Sequence, residues 1–275
     1  MPHELCPYTW RGEMCWLIRN ARAAGLADDA LVVEVGSAFG LGIFTARHFG
    51  HPIIGFECRQ GEFANLQQQF AFDAHVKLVQ ACVSDHPGTA QLYRAADSSS
   101  LVPSSVKAFD KVSKKAAMEN NTVEEVRMVT LDDMLSAVEV LDQAVGIIGI
   151  DVQGAEGQVL RGAEAVIRRH RPFIMYEDTE LADADKNGQL FARILAEMGP
   201  RAPQYEPCYC ERDCLCRPRL DGGGSNRTSF DARWWGPGSS ALARAGTSSS
   251  RHEHAHVDRE GQAGRINQGA AGVAV

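Results

Sequence analysis

The feature that most restricts the fold of this chain is residues 31–42, which read LVVEVGSAFGLG. An apolar run typical of a buried strand ends in a turn that contains three glycines, and a helical pattern follows. A strand, a sharp turn and a helix bring backbone N–H groups to the carboxyl end of a parallel sheet, where they can face a ligand. We expect Gly36 and Gly40 to be glycines because a Cβ atom at either position would hold that ligand away.

One acidic residue lies beside this turn, and another closes the next predicted strand. Glu57 ends the run PIIGFEC about 20 residues after the turn, where a carboxylate can accept both hydroxyls of a ribose. Glu34 would repel a pyrophosphate and attract an ammonium or a sulfonium. The spacing therefore predicts a site for a nucleoside with a cationic appendage, and S-adenosylmethionine has that shape. In the alternative interpretation, the glycines serve only the turn and the carboxylates are solvated.

Strand-like and helix-like patterns alternate along most of the chain. This alternation predicts an α/β fold with a doubly wound, mostly parallel sheet and helices on both faces. The predicted strands are LVVEV, PIIGFEC, VKLVQACVS, VRMV, VGIIGID and RPFIMYED, and EGQVLRGAEAVIRRH is predicted to form one helix.

Three regions are predicted: a helical lead-in over residues 1–29, one domain over 30–220 and a tail over 221–275. The tail is rich in Gly, Ser, Ala and Arg without a hydrophobic period, which predicts disorder. Within the domain, residues 85–125 are predicted to form a long surface excursion that grips substrate. Residues 208–216 are predicted to form a terminal antiparallel hairpin.

A second group of acidic residues closes the later predicted strands. Asp151 ends VGIIGID, and Glu177 and Asp178 end RPFIMYED, so all three are expected at the same edge of the sheet. They are candidates for an acid/base pair or for ligands of a divalent cation. Asp151 is the predicted base, whereas Glu156 is expected to favour the first turn of the next helix.

The eight cysteines predict a reducing compartment. Cys6, Cys15, Cys58 and Cys82 are scattered singly, as expected of thiols that act as small apolar side chains. The four in CYCERDCLC, residues 208–216, could converge on zinc, but their spacing favours ordinary burial. With no secretory signal and no membrane-length apolar run in the sequence, we expect a soluble, cytoplasmic protein.

The balance of charges indicates the class of partner. The chain has 28 Lys and Arg against 35 Asp and Glu, a formal net charge of −7. It therefore lacks the basic field that attracts nucleic acid or an anionic membrane. A small molecule is the expected partner, and the sequence does not indicate the oligomeric state.

Over about residues 30–180, the sequence resembles the FkbM-type S-adenosylmethionine-dependent methyltransferases. The resemblance rests on EVGSAFG, GFEC, VTLDDML, IDVQGAEGQVLRGA and RPFIMYED, in that order. It implies a class I methyltransferase fold, which is Rossmann-like, with the hairpin as its reversed last strand pair. It also implies S-adenosylmethionine as the cofactor. The residues that would hold it are Glu34, Gly36, Ser37 and Gly40 at the methionine part, Glu57 at the ribose, and Ala81 and Cys82, within VQACVSD, at the adenine edge; Cys58, next to Glu57, is a further cofactor-binding candidate.

Three positions depart from the family's pattern. Gly149 stands where the family usually has Lys, Gly157 where it has Leu, and Ala38 where Asn is common. The resulting hypothesis is O-methylation of a hydroxyl on a small molecule or sugar, with Asp151 as base and Glu177 as its partner. The alternatives are a cofactor-binding module without catalysis and an NAD-dependent oxidoreductase that uses GSAFGLG as a dinucleotide turn.

Overall fold

The computed structural model describes residues 13–94, 99–102, 123–137, 143–177, 189–210 and 213–219. The helices are α1 (Glu13–Ala23), α2 (Leu41–His48), α3 (Gln60–Gln69), α4 (Leu131–Ala137), α5 (Glu156–Arg161), α6 (Glu164–His170) and α7 (Gln189–Glu197). The strands are β1 (Leu31–Val35), β2 (Ile53–Glu57), β3 (Val76–Gln80), β4 (Cys82–Val83), β5 (Gly88–Arg94), β6 (Ser99–Ser100), β7 (Val123–Val129), β8 (Val145–Ile150), β9 (Phe173–Glu177), β10 (Tyr209–Cys210) and β11 (Asp213–Cys216).

The main sheet has seven strands in the order β10-β11-β9-β8-β1-β2-β3. In this sheet β9, β8, β1, β2 and β3 are parallel, while β11 is antiparallel to both β9 and β10. The predicted doubly wound fold and its terminal hairpin are therefore confirmed. The chain order reverses on either side of β1, and ligands of such sheets bind outside the carboxyl ends of the strands at this point.

The strands beside β1 are apolar except for Glu57 at the end of β2, because helices cover both faces of the sheet. Every residue of β2 and β8 is buried, whereas β1 has one half-buried position, Glu34. Glu34 lies in register with Gly55 on β2 and Gly149 on β8. The only polar side chain of β1 is thus flanked by positions without side chains.

A second sheet corrects one prediction. Residues 88–94 form β5, which pairs with β7 in a four-stranded sheet of order β4-β7-β5-β6. The surface excursion predicted over 85–125 is therefore wrong for β5, and VRMV belongs to this sheet rather than to the main one. Leu92, Val126 and Met128 form a small core with Cys82, which gives this sheet its own apolar face.

The helices largely follow the sequence prediction. The lead-in helix ends before Gly25, whose φ of 96° is the left-handed conformation common after a helix. The single helix predicted over residues 156–170 is instead two, α5 and α6. Gly162 separates them, and a Cβ atom there would overlap the carbonyl oxygen of Ser84. The carboxylate of Asp132 then accepts hydrogen bonds from two N–H groups at the start of α6.

The cysteines of the described residues are paired, so the prediction of reduced thiols is wrong. Disulfides join Cys58 to Cys82, Cys208 to Cys216 and Cys210 to Cys214. In the hairpin, Cys210 lies directly opposite Cys214, so that register brings the sulfur atoms together. Paired sulfurs rule out a four-thiolate zinc site in this structure.

No described helix has the length and apolar character that a bilayer crossing requires. Residues 1–12 and the predicted tail over 221–275 lie outside the described residues, and the division at residues 30 and 220 stays a prediction.

Candidate functional site

The glycine turn is fastened to the end of β2 by Glu57. Its Oε2 accepts a hydrogen bond from the N–H of Ala38 at 2.9 Å, and its Oε1 accepts one from the N–H of Arg59 at 2.8 Å. Burial raises the pKa of Glu57, and these two N–H groups oppose that rise. Each carboxylate oxygen can accept a further bond, so Glu57 keeps acceptor capacity for a ligand hydroxyl.

Glu34 lies over the first turn of α2. Gly42 makes room for it, because a Cβ atom on Gly42 would overlap Oε1 of Glu34. Burial raises the pKa of Glu34 to about 8, against the opposing Ser37 hydroxyl and Ile43 N–H. The Ser37 hydroxyl lies near enough to Glu34 to lower its pKa, but the two do not meet the geometry of a hydrogen bond. In the described part of the chain, Glu34 Oε2 and Ser37 Oγ are therefore buried without a hydrogen-bond partner. A donor with a positive charge would both fill this gap and stabilise the ionised carboxylate.

The two carboxyls lie on one side of the sheet, as the sequence predicts. Glu34 on β1 is in register with Gly55 on β2, and Glu57 lies two residues after Gly55 on β2. Because side chains alternate along a strand, Glu34 and Glu57 therefore point to the same face of the sheet. The charge of Glu57 also contributes to the raised pKa of Glu34. The structure therefore brings together the two residues on which the nucleoside prediction depends.

The structure gives a reason for the two turn glycines in addition to the predicted approach of a ligand. Gly36 and Gly40 have φ values of 88° and 77°, in the left-handed region that glycine tolerates best. A Cβ atom on Gly36 would overlap the carbonyl oxygen of Asp151, and one on Gly40 would lie 2.8 Å from Phe70. Contacts inside the protein therefore favour glycine at both positions, and the contact at Gly36 holds the turn against the end of β8. The approach of a ligand stays a prediction.

The second acidic group meets at the ends of β8 and β9. Asp151 and Glu177 are joined by the side chain of Gln153, whose Nε2 donates to Asp151 Oδ1 and to Glu177 Oε2, each at 2.6 Å. Asp151 is exposed to solvent on one side, while the protein atoms around its carboxyl group, and then the charge of Glu177, raise its pKa. Glu156 accepts a hydrogen bond from the N–H of Gly154, which agrees with its predicted role at the helix start. Asp178 lies outside the described residues.

The residues assigned to the adenine edge are mostly enclosed. Ala81 and Cys82 are each 2% exposed, and the sulfur of Cys82 is bonded to Cys58. Cys58, the disulfide partner of Cys82, is half-buried and therefore more exposed than Ala81 or Cys82. Ala81 is the residue at which the chain passes from β3 in the main sheet to β4 in the second sheet.

Sequence reasoning missed two residues of this site. Gln153 stands between Asp151 and Gly154 in the motif IDVQGAE, but its bridging role depends on a φ of 57° that the sequence does not reveal. Gly42 was interpreted only as part of the turn, although its missing side chain is what admits Glu34. A signal for Gly42 existed in its spacing of eight residues from Glu34, which places it in the first turn of the helix that follows.

The family profile of the Methyltransferase FkbM domain matches residues 35–209, more than half of the chain. The chain belongs to the FkbM methyltransferase family. The match begins at Val35, one residue after Glu34, and extends into β10, so it includes the glycine turn, Glu57 and the second acidic group. This FkbM methyltransferase domain has the class I methyltransferase fold that the resemblance implied.

Several solved methyltransferase structures are similar in fold. A methyltransferase FkbM from Methylobacillus flagellatus KT is 16% identical with a TM-score of 0.45, over 71% of this chain and 45% of that chain. The S-adenosylhomocysteine-bound methyltransferase PaMTH1 of Podospora anserina is 12% identical with a TM-score of 0.40, over 76% and 79%. The precorrin-6y C5,15-methyltransferase of Geobacter metallireducens is 11% identical with a TM-score of 0.38, over 73% and 84%.

This chain spans less than half the length of the Methylobacillus protein. No curated protein sequence matches it. The family assignment therefore rests on the domain match.

Two departures of this FkbM domain from the family pattern have packing explanations. A Cβ atom on Gly149 would lie 2.8 Å from Cε of Met14 on α1, and one on Gly157 would lie 3.3 Å from Leu190 on α7. Packing against α1 and α7 thus favours a small residue at both positions. Membership in a methyltransferase family also favours methyl transfer over the nicotinamide alternative.

Proposed function

We propose that this protein is an S-adenosylmethionine-dependent methyltransferase that acts on a hydroxyl group of a small molecule or sugar. The observation that supports this most directly is the pair Glu34 and Glu57, on the same side of neighbouring strands beside the glycine turn. The family assignment supplies the reaction class.

The described residues fit this cofactor because of a polar group that lacks a partner. Glu34 Oε2 and Ser37 Oγ are buried without hydrogen bonds among these residues, and the cofactor carries an ammonium and a sulfonium. A cationic ligand would satisfy Glu34 and lower its pKa from about 8. The residues that would hold the cofactor are Glu34, Gly36, Ser37 and Gly40 at the methionine part, Glu57 at the ribose, Ala81 and Cys82 at the adenine edge, and Cys58 beside Glu57. When bound, S-adenosylmethionine supplies an electrophilic methyl group.

Asp151 then acts on the acceptor. A hydroxyl acceptor must lose its proton, and a carboxylate whose pKa is raised towards neutrality is a stronger base than an ordinary one. Glu177 is the partner of Asp151: it lies on the other side of the Gln153 amide, and its charge makes Asp151 a stronger base. The rest of the chain's contribution is alignment, which can supply roughly 7 to 11 kcal/mol of a reaction barrier.

The reaction is tested with S-adenosylmethionine that carries a deuterated methyl group. The full chain is incubated with fractionated small-molecule extracts, and products that gain the labelled methyl are identified by mass spectrometry. Nuclear magnetic resonance of the product then shows whether the methyl is on oxygen. Labelled products with the methyl on nitrogen or carbon would contradict the hydroxyl acceptor, and boiled protein is the control.

Cofactor binding is tested separately with S-adenosylhomocysteine, which keeps the ammonium. Glu34→Gln should weaken its binding roughly 10- to 100-fold, since a charge-assisted hydrogen bond is worth about 1.5 to 3 kcal/mol. Titration calorimetry measures the loss, with Glu125→Gln on the exposed face of β7 as the matched control. Equal affinity in Glu34→Gln and wild type would place the ammonium elsewhere, and binding of NADH instead would support the oxidoreductase.

A further inference from the structure

Gln153 makes a contact that the proposed reaction does not by itself require. Its single amide nitrogen is 2.6 Å from Asp151 Oδ1 and 2.6 Å from Glu177 Oε2. A primary amide has two N–H hydrogens, so each carboxylate receives one. The nitrogen lies where a cation bridging two carboxylates would lie.

The backbone at Gln153 is fixed in an unusual conformation. Its φ of 57° is in the left-handed region, which a residue with a Cβ atom rarely adopts. Its carbonyl oxygen accepts a hydrogen bond from Ser100 Oγ at 2.8 Å, and Ser100 is buried in β6 of the second sheet. The same Ser100 oxygen accepts from the N–H of Val102 at 3.0 Å. The second sheet thus anchors the loop from which the amide reaches both acids.

The charged groups around this pair have the same sign. Glu177 on β9 and Glu156 on α5 act on Asp151, and Asp151 in turn acts on Glu34 on β1. Like charges that converge from three elements repel each other, so a donor between them has a large effect on where they sit.

We propose that Gln153 is a positioning residue whose amide takes the place of a bridging cation and holds Asp151 and Glu177 together in the orientation that the acceptor's proton requires. This inference rests on the proposed function insofar as Asp151 is the base. Its structural part, that one amide joins the two acids in place of a cation, is independent of catalysis.

The most informative variant is Gln153→Asn. Asn adopts the left-handed conformation more readily than most residues, so the backbone is preserved, but its amide is one methylene too short to reach both carboxylates. Loss of the donor raises the pKa of Asp151, so the acidic limb of the pH dependence of kcat should move upward by roughly one pH unit. The dissociation constant for S-adenosylhomocysteine should stay within about twofold, because Gln153 does not touch the predicted cofactor residues. Gln68→Asn, on the exposed face of α3, is the matched control.

A second variant, Gln153→Glu, tests without any activity measurement whether the amide occupies a position that a cation could take. A third carboxylate at this position leaves three acids without the amide donor, and Ca²⁺ should then bind and raise the melting temperature by several degrees in 5 mM CaCl₂. Wild type and Gln68→Glu should not respond. A wild type that is stabilised by Ca²⁺ as strongly as Gln153→Glu would overturn the proposal.

The proposal and the proposed function can fail separately. If no hydroxyl compound is methylated, carbon-13 resonances of labelled Asp and Glu side chains still report the titration of the pair. A shift of this titration to higher pH in Gln153→Asn supports the bridge even then. An unchanged titration, or a rate that falls equally at every pH, would show that Gln153 only fills space.

Discussion

Two pairs of acidic residues lie at the same edge of the main sheet, but they are held in different ways. At the ends of β1 and β2, Glu57 accepts hydrogen bonds from two main-chain N–H groups. Glu34 occupies the space that the missing side chain of Gly42 leaves. At the ends of β8 and β9, Asp151 and Glu177 are joined by one side chain, Gln153.

The difference shows what each pair depends on. The first pair depends on the path of the backbone, which every residue of the turn helps to define. The second depends on the reach of a single amide, so one substitution can change its charge and geometry. Under the proposed function, a site built this way keeps its nucleoside end constant, while its acceptor end is easily altered.

The largest expected effect is at the second pair. Asp151→Asn removes the predicted base but keeps an oxygen that accepts the Gln153 hydrogen bond, so methyl transfer should fall roughly 10²- to 10⁴-fold. Affinity for S-adenosylhomocysteine should change less than twofold, as measured by calorimetry beside single-turnover rates. Asp133→Asn, at the exposed start of α4, is the control. Unchanged turnover in Asp151→Asn would mean that the second pair does not take part in the reaction.

The next effect concerns the covalent bond beside the first pair. The Cys58–Cys82 disulfide joins residues 24 apart, and Cys210–Cys214 joins residues 4 apart. Loop-closure entropy gives about 3.5 kcal/mol for the longer loop and about 2 kcal/mol for the shorter. The double variant Cys58→Ala with Cys82→Ala should therefore lose more unfolding free energy than Cys210→Ala with Cys214→Ala. Urea unfolding without reductant measures the free energy of unfolding of both double variants. Equal losses would mean that the Cys58–Cys82 bond restrains the chain no more than the bond of the shorter loop.

A smaller effect is a pH dependence of stability that comes from Glu34. Its pKa is about 8 in the folded protein against 4.5 ordinarily, so between these values the folded state holds a proton that the unfolded state has lost. Stability from this residue therefore falls as pH rises from 4.5 to 8, by roughly 1 to 3 kcal/mol for a half-buried group at pH 7. Glu34→Gln should lack this slope, so its advantage over wild type should grow with pH and level off above 8. Denaturant unfolding from pH 5 to 9 gives the two curves, and parallel curves would contradict the assigned burial.

The smallest effect tests the turn itself. Ala38 has a φ of 42°, although its N–H is well placed to donate to Glu57. Ala38→Gly should raise the unfolding free energy by about 0.5 to 1 kcal/mol, because glycine adopts this conformation without strain. Ala64→Gly, on the exposed face of α3, should lower it by about 1 kcal/mol instead. If both variants are destabilised alike, the turn is less strained than its φ indicates.

Local patterns explain what the sequence could predict. The buried strands, the helix ends and the acidic residues at strand ends follow from the spacing of apolar residues and from the parallel order of the strands. These features depend on a few neighbouring residues, so Glu34, Glu57, Asp151 and Glu177 could be placed at one edge before any coordinates were known.

What the sequence could not predict depends on residues far apart in the chain. Strand β5 is stabilised by pairing with β7 across a long connection, and its own pattern is only weakly alternating. The Cys58–Cys82 bond requires the switch between sheets at Ala81, and the Gln153 bridge requires a backbone held by Ser100. Each of these is a contact between two elements that are positioned independently.

The hairpin also affects how the molecule behaves at high concentration. The main sheet ends on one side at β10, which is two residues long and stapled to its partner by disulfides, and on the other at β3, which is five residues long and carries Lys77. A short border offers few backbone groups for a foreign strand to join, and a charge on the longer border discourages the same event. Both borders of the sheet therefore oppose edge-to-edge aggregation.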